Sequence, residues 1–423
     1  MRRDRQDAKT PTFGFLRATK TLLPWRLGVL AILLSASASG DVLLPPWTEA
    51  GAVPLPTWAK SVAAAKAETP LFAAPGRLDL RRATTLADAR LPLYGAARGA
   101  QCDGRWLHVG LESWVCSDKV ELSADPPQDE SVIASDGLPY RYYFVGKNGA
   151  NGYESLERAG DDAPDEQLDP GFAVATTEER SKSGARFVKT RHGTWIDTSE
   201  LGAARPSGFH GEDVGPDGLS FAWIARPTRG HVRREVVRVL EEKSGKARIG
   251  ESEWIDARAL VRPTLAAPPP EVRGDRERWI DVDLATQTLV AYEGARPVFA
   301  TLVSTGMPGH DTATHKGTFR IWVKLLSSTM DNIGPIADDA RPAAEGPRYS
   351  MEDVPYVQFF DKAIALHGVF WHDDFGHVHS HGCVNLAPRD AARLFAFTGP
   401  RLGPGLAAIL PSHADPGTVV RVR

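Results

Sequence analysis

The sequence has little net charge and no long apolar run. Each of these absences excludes a class of function or structure. Its 50 Lys and Arg nearly balance 53 Asp and Glu, for a net charge of −3. No general basic surface is therefore predicted, and nucleic acid is not an expected partner. No stretch reaches the roughly 18 apolar residues of a membrane-spanning helix. At 423 residues, the chain is long enough for two to four folded domains.

The first 38 residues have the order of a secretory signal. A basic segment precedes the apolar run LGVLAILL, and the small residues SASASG follow, with Ala36 and Ala38 in an A-x-A arrangement. We therefore predict cleavage after Ala38 and export to the periplasm or cell envelope. No cysteine follows the apolar run directly, so neither a lipid anchor nor a stable membrane span after cleavage is predicted.

The chain has only three cysteines. Cys102 and Cys116 lie in QCDGRWLHVGLESWVC, which indicates two adjacent strands around a Gly-containing turn. Such strands bring cysteines to disulfide distance, and an oxidising compartment would keep the bond, although two free buried thiols are the alternative. Cys383 is left over, and an odd thiol in an exported protein suggests reactivity.

A loose repeat runs through the middle of the chain. ESWVCSDKVEL, GTWIDTSEL and SEWIDARAL place Trp114, Trp195 and Trp254 before short Leu-terminated segments. We interpret each Trp as a core residue of its own module rather than a stacking platform for a ligand. Strand, turn, strand and a closing Trp strand together resemble the small SH3-like β-barrels of bacterial cell-wall proteins. The sequence leaves open whether these modules bind glycan, bind protein or only space the next domain.

A proline-rich break, RPTLAAPPPEVRGDRER, is the clearest domain boundary. Its three consecutive prolines favour a stiff, extended linker. The predicted organisation is a signal peptide at 1–38, a Pro-rich lead at 39–75, SH3-like modules at 76–125, 126–205 and 206–261, a linker at 262–277 and a last domain at 278–423.

The last domain has the pattern of a β fold. In WIDVDLATQTLVAY apolar residues alternate with polar ones, and further β patterns follow as far as KAIALHGVFW. One helix is predicted after Asn385, since Pro388 suits its first turn and Gly399-Pro400 ends it. The fold class is therefore mainly β.

The stretch HGVFWHDDFGHVHSHGCVNL at 367–386 is unusually rich in histidine. A strand over HVHSH would place His377, His379 and His381 on one face, as a metal site requires. Gly376 and Gly382 favour a loop equally well, and no further Cys or acidic cluster completes a recognisable site. The sequence therefore predicts neither a metal nor a cofactor.

A cysteine nucleophile explains more of these residues. Cys383 lies in a tight Gly-containing turn, where backbone amides can face an oxyanion. A thiol needs a base to be nucleophilic at neutral pH. His367, at the end of its own strand, is in position to serve, and Gly368 lets the backbone carbonyl approach and orient the imidazole.

The pair HG is followed, after eleven residues, by SHGCVN. This pattern resembles the signature of the L,D-transpeptidase (YkuD-type) catalytic domain. WIDVDLATQTLVAYEGARPVFATLVSTG, THKGTFRI and VPYVQFF also resemble that family, over about Arg278 to Arg423. The resemblance implies a β-sandwich-like fold with one helix after the cysteine. It also implies a cysteine acyltransferase that acts on peptidoglycan stem peptides and is susceptible to carbapenems.

The same resemblance implies roles for individual residues. Cys383 is expected to be the nucleophile and His367 its general base. The supporting or oxyanion residues are expected to be Gly368, Ser380, His381 and Gly382, and the substrate-binding residues Asn385 and Tyr356. Asn385 equally suits a turn, and solvent-facing or structural roles are expected for His372, His377 and His379.

The sequence leaves the acceptor of the acyl group open. A neighbouring stem would give a 3→3 cross-link, another amine an anchored protein or an edited stem, and water an L,D-carboxypeptidase. The alternative function is a cell-wall-binding protein whose C-terminal domain is weakly active or carboxypeptidase-like. The intact pair of Cys383 and His367 favours the enzyme.

Overall fold

The computed structural model describes residues 52–129, 134–228, 230–309, 312–333 and 348–423. The predicted signal peptide lies outside these residues. Strands far outnumber helices in them, which confirms the mainly β class. Within the same residues, no helix has both the length and the apolar character needed to span a bilayer.

The regular elements are short in the first two thirds of the chain and longer beyond it. The strands up to Ser123 are β1 (Ser61–Ala64), β2 (Pro70–Phe72), β3 (Arg81–Thr85), β4 (Ala89–Pro92), β5 (Gly95–Ala97), β6 (Trp106–Gly110), β7 (Ser113–Cys116) and β8 (Glu121–Ser123). The strands up to Val261 are β9 (Arg141–Val145), β10 (Ala150–Tyr153), β11 (Glu166–Leu168), β12 (Ala173–Lys182), β13 (Ala185–Thr190), β14 (Trp195–Asp197), β15 (Leu201–Ala203), β16 (Glu212–Asp213), β17 (Phe221–Ile224), β18 (Val236–Arg238), β19 (Glu241–Lys243), β20 (Lys246–Arg248), β21 (Trp254–Asp256) and β22 (Leu260–Val261). The remaining strands are β23 (Arg278–Asp283), β24 (Thr288–Glu293), β25 (Arg296–Leu302), β26 (Gly317–Arg320), β27 (Val323–Asp331), β28 (Ser350–Asp361), β29 (Ile364–Gly368), β30 (Val384–Leu386), β31 (Leu406–Ile409) and β32 (Val419–Val422). The helices are α1 (Leu156–Gly160) and α2 (Pro388–Phe397), with 3-10 turns at Ser117–Lys119, Thr198–Glu200 and Ala257–Ala259.

The three repeated Trp segments fold into the same local unit. In each, a strand that contains the Trp leads through a 3-10 turn into a short strand. Trp114 and Trp195 are buried, as predicted, but Trp254 is 38% exposed, so its prediction as a core residue is wrong. It lies on β21, which among the described strands pairs only with β20, at the edge of a three-stranded sheet. The SH3-like nature of these modules stays a prediction.

The first β unit begins earlier in the chain than 76. β1 and β2 fall within the segment assigned to the Pro-rich lead, and they pair with β4 and β8 and with β3 and β7. A disulfide joins Cys102 to Cys116, whose Cα atoms are 5.6 Å apart. It packs beside Trp106, which is fully buried. The bond therefore closes the hairpin of β6 and β7.

We expect the double replacement of Cys102 and Cys116 by serine to loosen this hairpin and to leave Cys383 reactive. A bridge over a loop of this length contributes about 3 kcal/mol. The catalytic candidates lie on or beside β29 and β30, which pair with neither β6 nor β7. Limited proteolysis should show faster cleavage near the hairpin, and mass spectrometry an unchanged rate of labelling by a carbapenem. A marked fall in labelling would contradict this expectation.

Strands of the predicted modules pair with strands of the last domain. β3 pairs with β31, with Ala83 opposite Ile409, and β16 pairs with β25. The Tyr142 hydroxyl donates a hydrogen bond to the Asp353 carbonyl oxygen over 2.7 Å, and its ring stacks on Phe370 with centroids 4.0 Å apart. The predicted boundaries therefore fall between segments that share sheets and core.

The proline-rich segment 262–277 also lies along the last domain. The Ala266 amide donates to the Tyr292 hydroxyl over 3.0 Å, and Arg320 donates to the Glu271 carbonyl oxygen over 2.7 Å. The three consecutive prolines leave that stretch without backbone N–H donors of its own, so carbonyl groups and the flanking amides make these contacts. The segment contains turns around 270–271 and 275–276, and hydrogen bonds hold it against the last domain.

Two sheets pack face to face in the last domain. One has the order β16-β25-β24-β23-β32-β26, and the other runs β3-β31-β27-β28-β29-β30. Both sheets and α2 contribute apolar side chains to one core, among them Ile280, Leu289, Phe299, Phe360, Leu366, Val384 and Leu394. This is the β-sandwich-like arrangement that the sequence predicts, with α2 starting at Pro388.

Candidate active site

The catalytic candidates lie on, or directly before, two parallel neighbouring strands. β29 and β30 pair so that His367 is opposite Asn385 and Leu366 is opposite Val384. Leu366 and Val384 point into the core between the sheets. Since side chains alternate along a strand, His367, Asn385 and Cys383 project from the other face. The sequence therefore brings Cys383 and His367 to one face of one sheet, diagonally across two adjacent strands.

The imidazole of His367 is held in a single tautomer. Its Nδ1 is 3.1 Å from the Gly368 carbonyl oxygen, which accepts the Nδ1 proton and leaves Nε2 free to act as a base. The residue is 2% exposed, and burial lowers its pKa to about 4. The Trp371 ring lies beside it, with centroids 6.0 Å apart. His367 is thus a neutral imidazole at physiological pH, oriented by the carbonyl predicted for that purpose.

Cys383 is the free thiol among the three cysteines, all of which lie in described residues. It is half-buried beside Val354, Val357 and Ala365. Burial raises the pKa of the thiol, and a hydrogen bond from the Ala365 backbone lowers it by a smaller amount. Both pKa shifts therefore favour the uncharged forms of the thiol and of the imidazole.

The turn before Cys383 is fixed by its own hydrogen bonds. The Ser380 hydroxyl donates to the Cys383 carbonyl oxygen and accepts from the Gly382 amide over 3.1 Å. Gly382 has φ of +121°, a conformation that favours glycine. Ser380 and Gly382 therefore fix the conformation of the chain around Cys383. His381, also predicted to shape the oxyanion pocket, is exposed.

Two residues that the sequence reasoning missed hold this turn from outside. Thr314 Oγ1 donates to the Gly382 carbonyl oxygen over 2.7 Å and accepts from the Gly306 amide over 2.9 Å. Gly306 also forms a β-bridge to Ser380. Their signals were present in STG and THKG, the polar ends of apolar strands. Only the tertiary pairing shows that both segments meet at the cysteine.

Asn385 joins the site to the following loop. Its side-chain amide is 3.0 Å from His372 Nε2, and His372 Nδ1 accepts from the Asp374 amide over 3.2 Å. The amide atom of Asn385 that faces Nε2 is Nδ2, so the His372 ring is contacted at both of its nitrogens. Burial is the main cause that lowers the pKa of His372 to about 4. His372 is thus half-buried and hydrogen-bonded, and the solvent-facing or structural role expected for it stays a prediction.

Tyr356 lies away from solvent. It is 3% exposed, and its ring packs against Phe395 of α2 with centroids 5.5 Å apart. Burial raises the pKa of its hydroxyl. This position is that of a core residue, so the packing argues against the substrate contact predicted for Tyr356.

The loop beside the site gathers groups that could ligate a metal. Ligand atoms of His372, Asp374 and His379 lie within 4.8 Å of one another. The sequence instead considered His377, His379 and His381 as one face of a strand. That set does not come together here, because the segment between Gly376 and Gly382 forms a loop.

Part of the chain is similar to a known protein family. Residues 277–422 match the family model of the YkuD-type L,D-transpeptidase catalytic domain. No curated protein matches the chain.

Several solved structures are similar over about a third of the chain. A mutant of the Enterococcus faecium L,D-transpeptidase is 23% identical over 35% of this chain and 50% of its own, with a TM-score of 0.25. The isolated catalytic domain of the E. faecium enzyme is 23% identical over 35% of this chain and 98% of its own, with a TM-score of 0.25. An L,D-transpeptidase from Stackebrandtia nassauensis is 28% identical over 36% and 57%, with a TM-score of 0.23.

The present chain thus spans about half the length of the first of these structures. The family model covers β29, which carries His367, β30, which directly follows Cys383, and α2. The match identifies residues 277–422 as an L,D-transpeptidase catalytic domain.

Proposed function

We propose that the protein is an exported peptidoglycan L,D-transpeptidase that uses Cys383 as its nucleophile. One observation carries the proposal. Within a segment that matches the L,D-transpeptidase catalytic domain, a free thiol and a carbonyl-oriented neutral imidazole share one face of two adjacent strands. A purely wall-binding protein has no need of that arrangement.

The proposed acylation begins with a neutral pair. Nε2 of His367 takes the thiol proton as the Cys383 sulfur attacks the carbonyl carbon between the L-centre of a stem-peptide diamino acid and its terminal D-alanine. The tetrahedral intermediate collapses as the C–N bond breaks. D-Alanine leaves with the proton returned by the imidazolium, and the acyl group remains on sulfur as a thioester.

Deacylation reverses the same proton path. An acceptor amine attacks the thioester carbonyl and gives a proton to His367. The C–S bond then breaks, and Cys383 is restored as the thiol. An amine from a neighbouring stem's diamino acid gives a 3→3 cross-link, which is the outcome we propose. Backbone amides of the turn around Gly382 are the candidate donors to the oxyanion in both halves.

The direct test uses the purified mature chain with a disaccharide-tetrapeptide substrate. Mass spectrometry should detect release of D-alanine, a thioester on Cys383 and a dimer with a 3→3 linkage. A carbapenem should give a single covalent adduct on the same residue. D-Alanine release without dimers would indicate an L,D-carboxypeptidase, and a folded protein that forms no adduct at all would favour the wall-binding alternative.

The two shifted pKa values predict a broad pH plateau for acylation. The reactive form has one proton on the pair, and it is the main form between the pKa of His367 at about 4 and that of Cys383, which is raised above its ordinary value. The rate of carbapenem acylation should therefore change little between about pH 5.5 and 8.5 and fall only at stronger acidity. Stopped-flow fluorescence would measure it. A tenfold rise per pH unit would mean that free thiolate reacts, and a fall centred near pH 6.5 would mean an ordinary histidine.

A further inference from the structure

A second group of chemically competent side chains lies next to the proposed active site. The rings of His372 and His379 are 4.2 Å apart between centroids, and His379 Nδ1 is 3.4 Å from Asp374 Oδ2. One ligand atom from each of the three residues falls within 4.8 Å of the other two. The mechanism proposed above uses none of them.

The donor set is the one that divalent transition metals prefer. Two imidazole nitrogens and one carboxylate oxygen bind Zn²⁺ well, and a cation held by three protein ligands keeps a position open for water or another ligand. His372 is a half-buried neutral ring, whereas Asp374 and His379 lie nearer the surface. An ion can therefore reach the group from solvent without opening the core.

One neighbouring positive charge lowers the expected affinity of this group for a cation. Arg233 is 3.6 Å from Asp374 Oδ1, whereas the oxygen that faces His379 is Oδ2. Oδ2 of Asp374 thus faces the imidazole of His379, while Oδ1 faces the guanidinium of Arg233. A nearby positive charge weakens cation binding, so we expect a micromolar rather than a nanomolar site.

We propose that His372, Asp374 and His379 form a binding site for a divalent transition-metal ion of the Zn²⁺ class. Because Cys383 and His367 lie outside this site, we assign it a regulatory rather than a catalytic role. This binding site does not depend on the function proposed above.

The cation would act on the catalytic residues through Asn385. Both nitrogens of His372 are hydrogen-bonded, one to the Asp374 amide and one to the Asn385 side chain. Whichever nitrogen takes the metal, one of these hydrogen bonds is given up. Asn385 is opposite His367 in the strand register and two residues from Cys383. Metal binding is therefore expected to slow acylation, and this consequence rests on the proposed function.

The test is calorimetric titration of Zn²⁺ into the full mature chain carrying Cys383→Ala, so that no free thiol competes. His379→Ala in that background should weaken binding at least tenfold. His377→Ala is the matched control, because it removes an exposed histidine of the same loop that lies outside the cluster, and it should bind like the parent. Asp374→Asn, which keeps the side-chain shape, should also weaken binding and serves if His379→Ala misfolds.

Binding that His379→Ala and Asp374→Asn leave unchanged would overturn the site. So would absence of binding in the Cys383→Ala chain when the unmodified chain binds, because the thiol would then be the ligand. Co²⁺ as a spectroscopic probe gives an independent readout, since its visible bands report nitrogen and oxygen ligation without thiolate. These measurements need no turnover, so a failure of the metal site is distinguishable from a failure of the proposed enzyme.

Discussion

The Cys383→Ala protein is expected to lose acyl transfer by a factor of about 10³ or more while keeping its fold. Removing a nucleophile removes the covalent step itself, and only the weak contribution of binding and oxyanion contacts remains. The readouts are carbapenem adducts by mass spectrometry and 3→3 dimers from a purified disaccharide-tetrapeptide.

The fold should tolerate this change because the site is small and only partly buried. Cys383 is half-buried, and alanine keeps the Cβ that packs against Val354 and Val357. The thermal midpoint should stay within a few degrees of the parent. His377→Ala, an exposed change in the neighbouring loop, is the control and should keep full activity. If Cys383→Ala still cross-linked normally, Cys383 would not be the nucleophile.

Gly306→Ala should also be damaging, although Gly306 carries no chemistry. An added Cβ would lie 2.0 Å from the Thr312 carbonyl oxygen, 2.8 Å from the Thr314 nitrogen and 2.9 Å from the Gly382 Cα. All three are backbone atoms, which cannot move aside as easily as the end of a flexible side chain. The turn that holds Cys383 must therefore shift, and overpacking of this kind costs about 1–3 kcal/mol.

We expect the rate of acylation in Gly306→Ala to fall at least tenfold, with a lower thermal midpoint. Gly215→Ala is the matched control, because an added Cβ there meets nothing within 4 Å. Thr314→Val separates the effect of the steric clash from that of lost hydrogen bonds. It removes the hydroxyl between Gly306 and Gly382 without adding a backbone clash. Gly306→Ala with unchanged kinetics would show that the turn does not depend on this close approach.

The last domain was largely predictable because its signals are local. Alternation gave β23 and β24, the Pro388 and Gly399-Pro400 pair bounded α2, and the SHGCVN segment pointed to Cys383. His367 and the carbonyl of Gly368 followed from their spacing and from a chemical requirement. Each of these inferences depends on residues close together in the sequence, where periodicity and turn chemistry are informative.

What the sequence did not give are contacts between distant segments. Thr314 reaches Gly382 across 68 positions, and Tyr142 reaches Asp353 across 211. The pattern of a strand predicts that it will pair, but it does not say with which strand. The prediction that Trp254 is a core residue failed for the same reason. A Trp on a strand is buried only when a second layer of the structure covers that strand.

The pairing of β3 with β31 has a practical consequence for anyone who isolates the catalytic domain. Arg82 on β3 donates to Asp415 over 2.7 Å, and its side chain is almost fully buried there. A fragment that begins at Arg278 would lose β3 and leave β31 as a bare sheet edge with unpaired N–H and C=O groups. Bare edges recruit other strands, so such a fragment would tend to self-associate and precipitate. Expression from residue 52 onward keeps that edge covered.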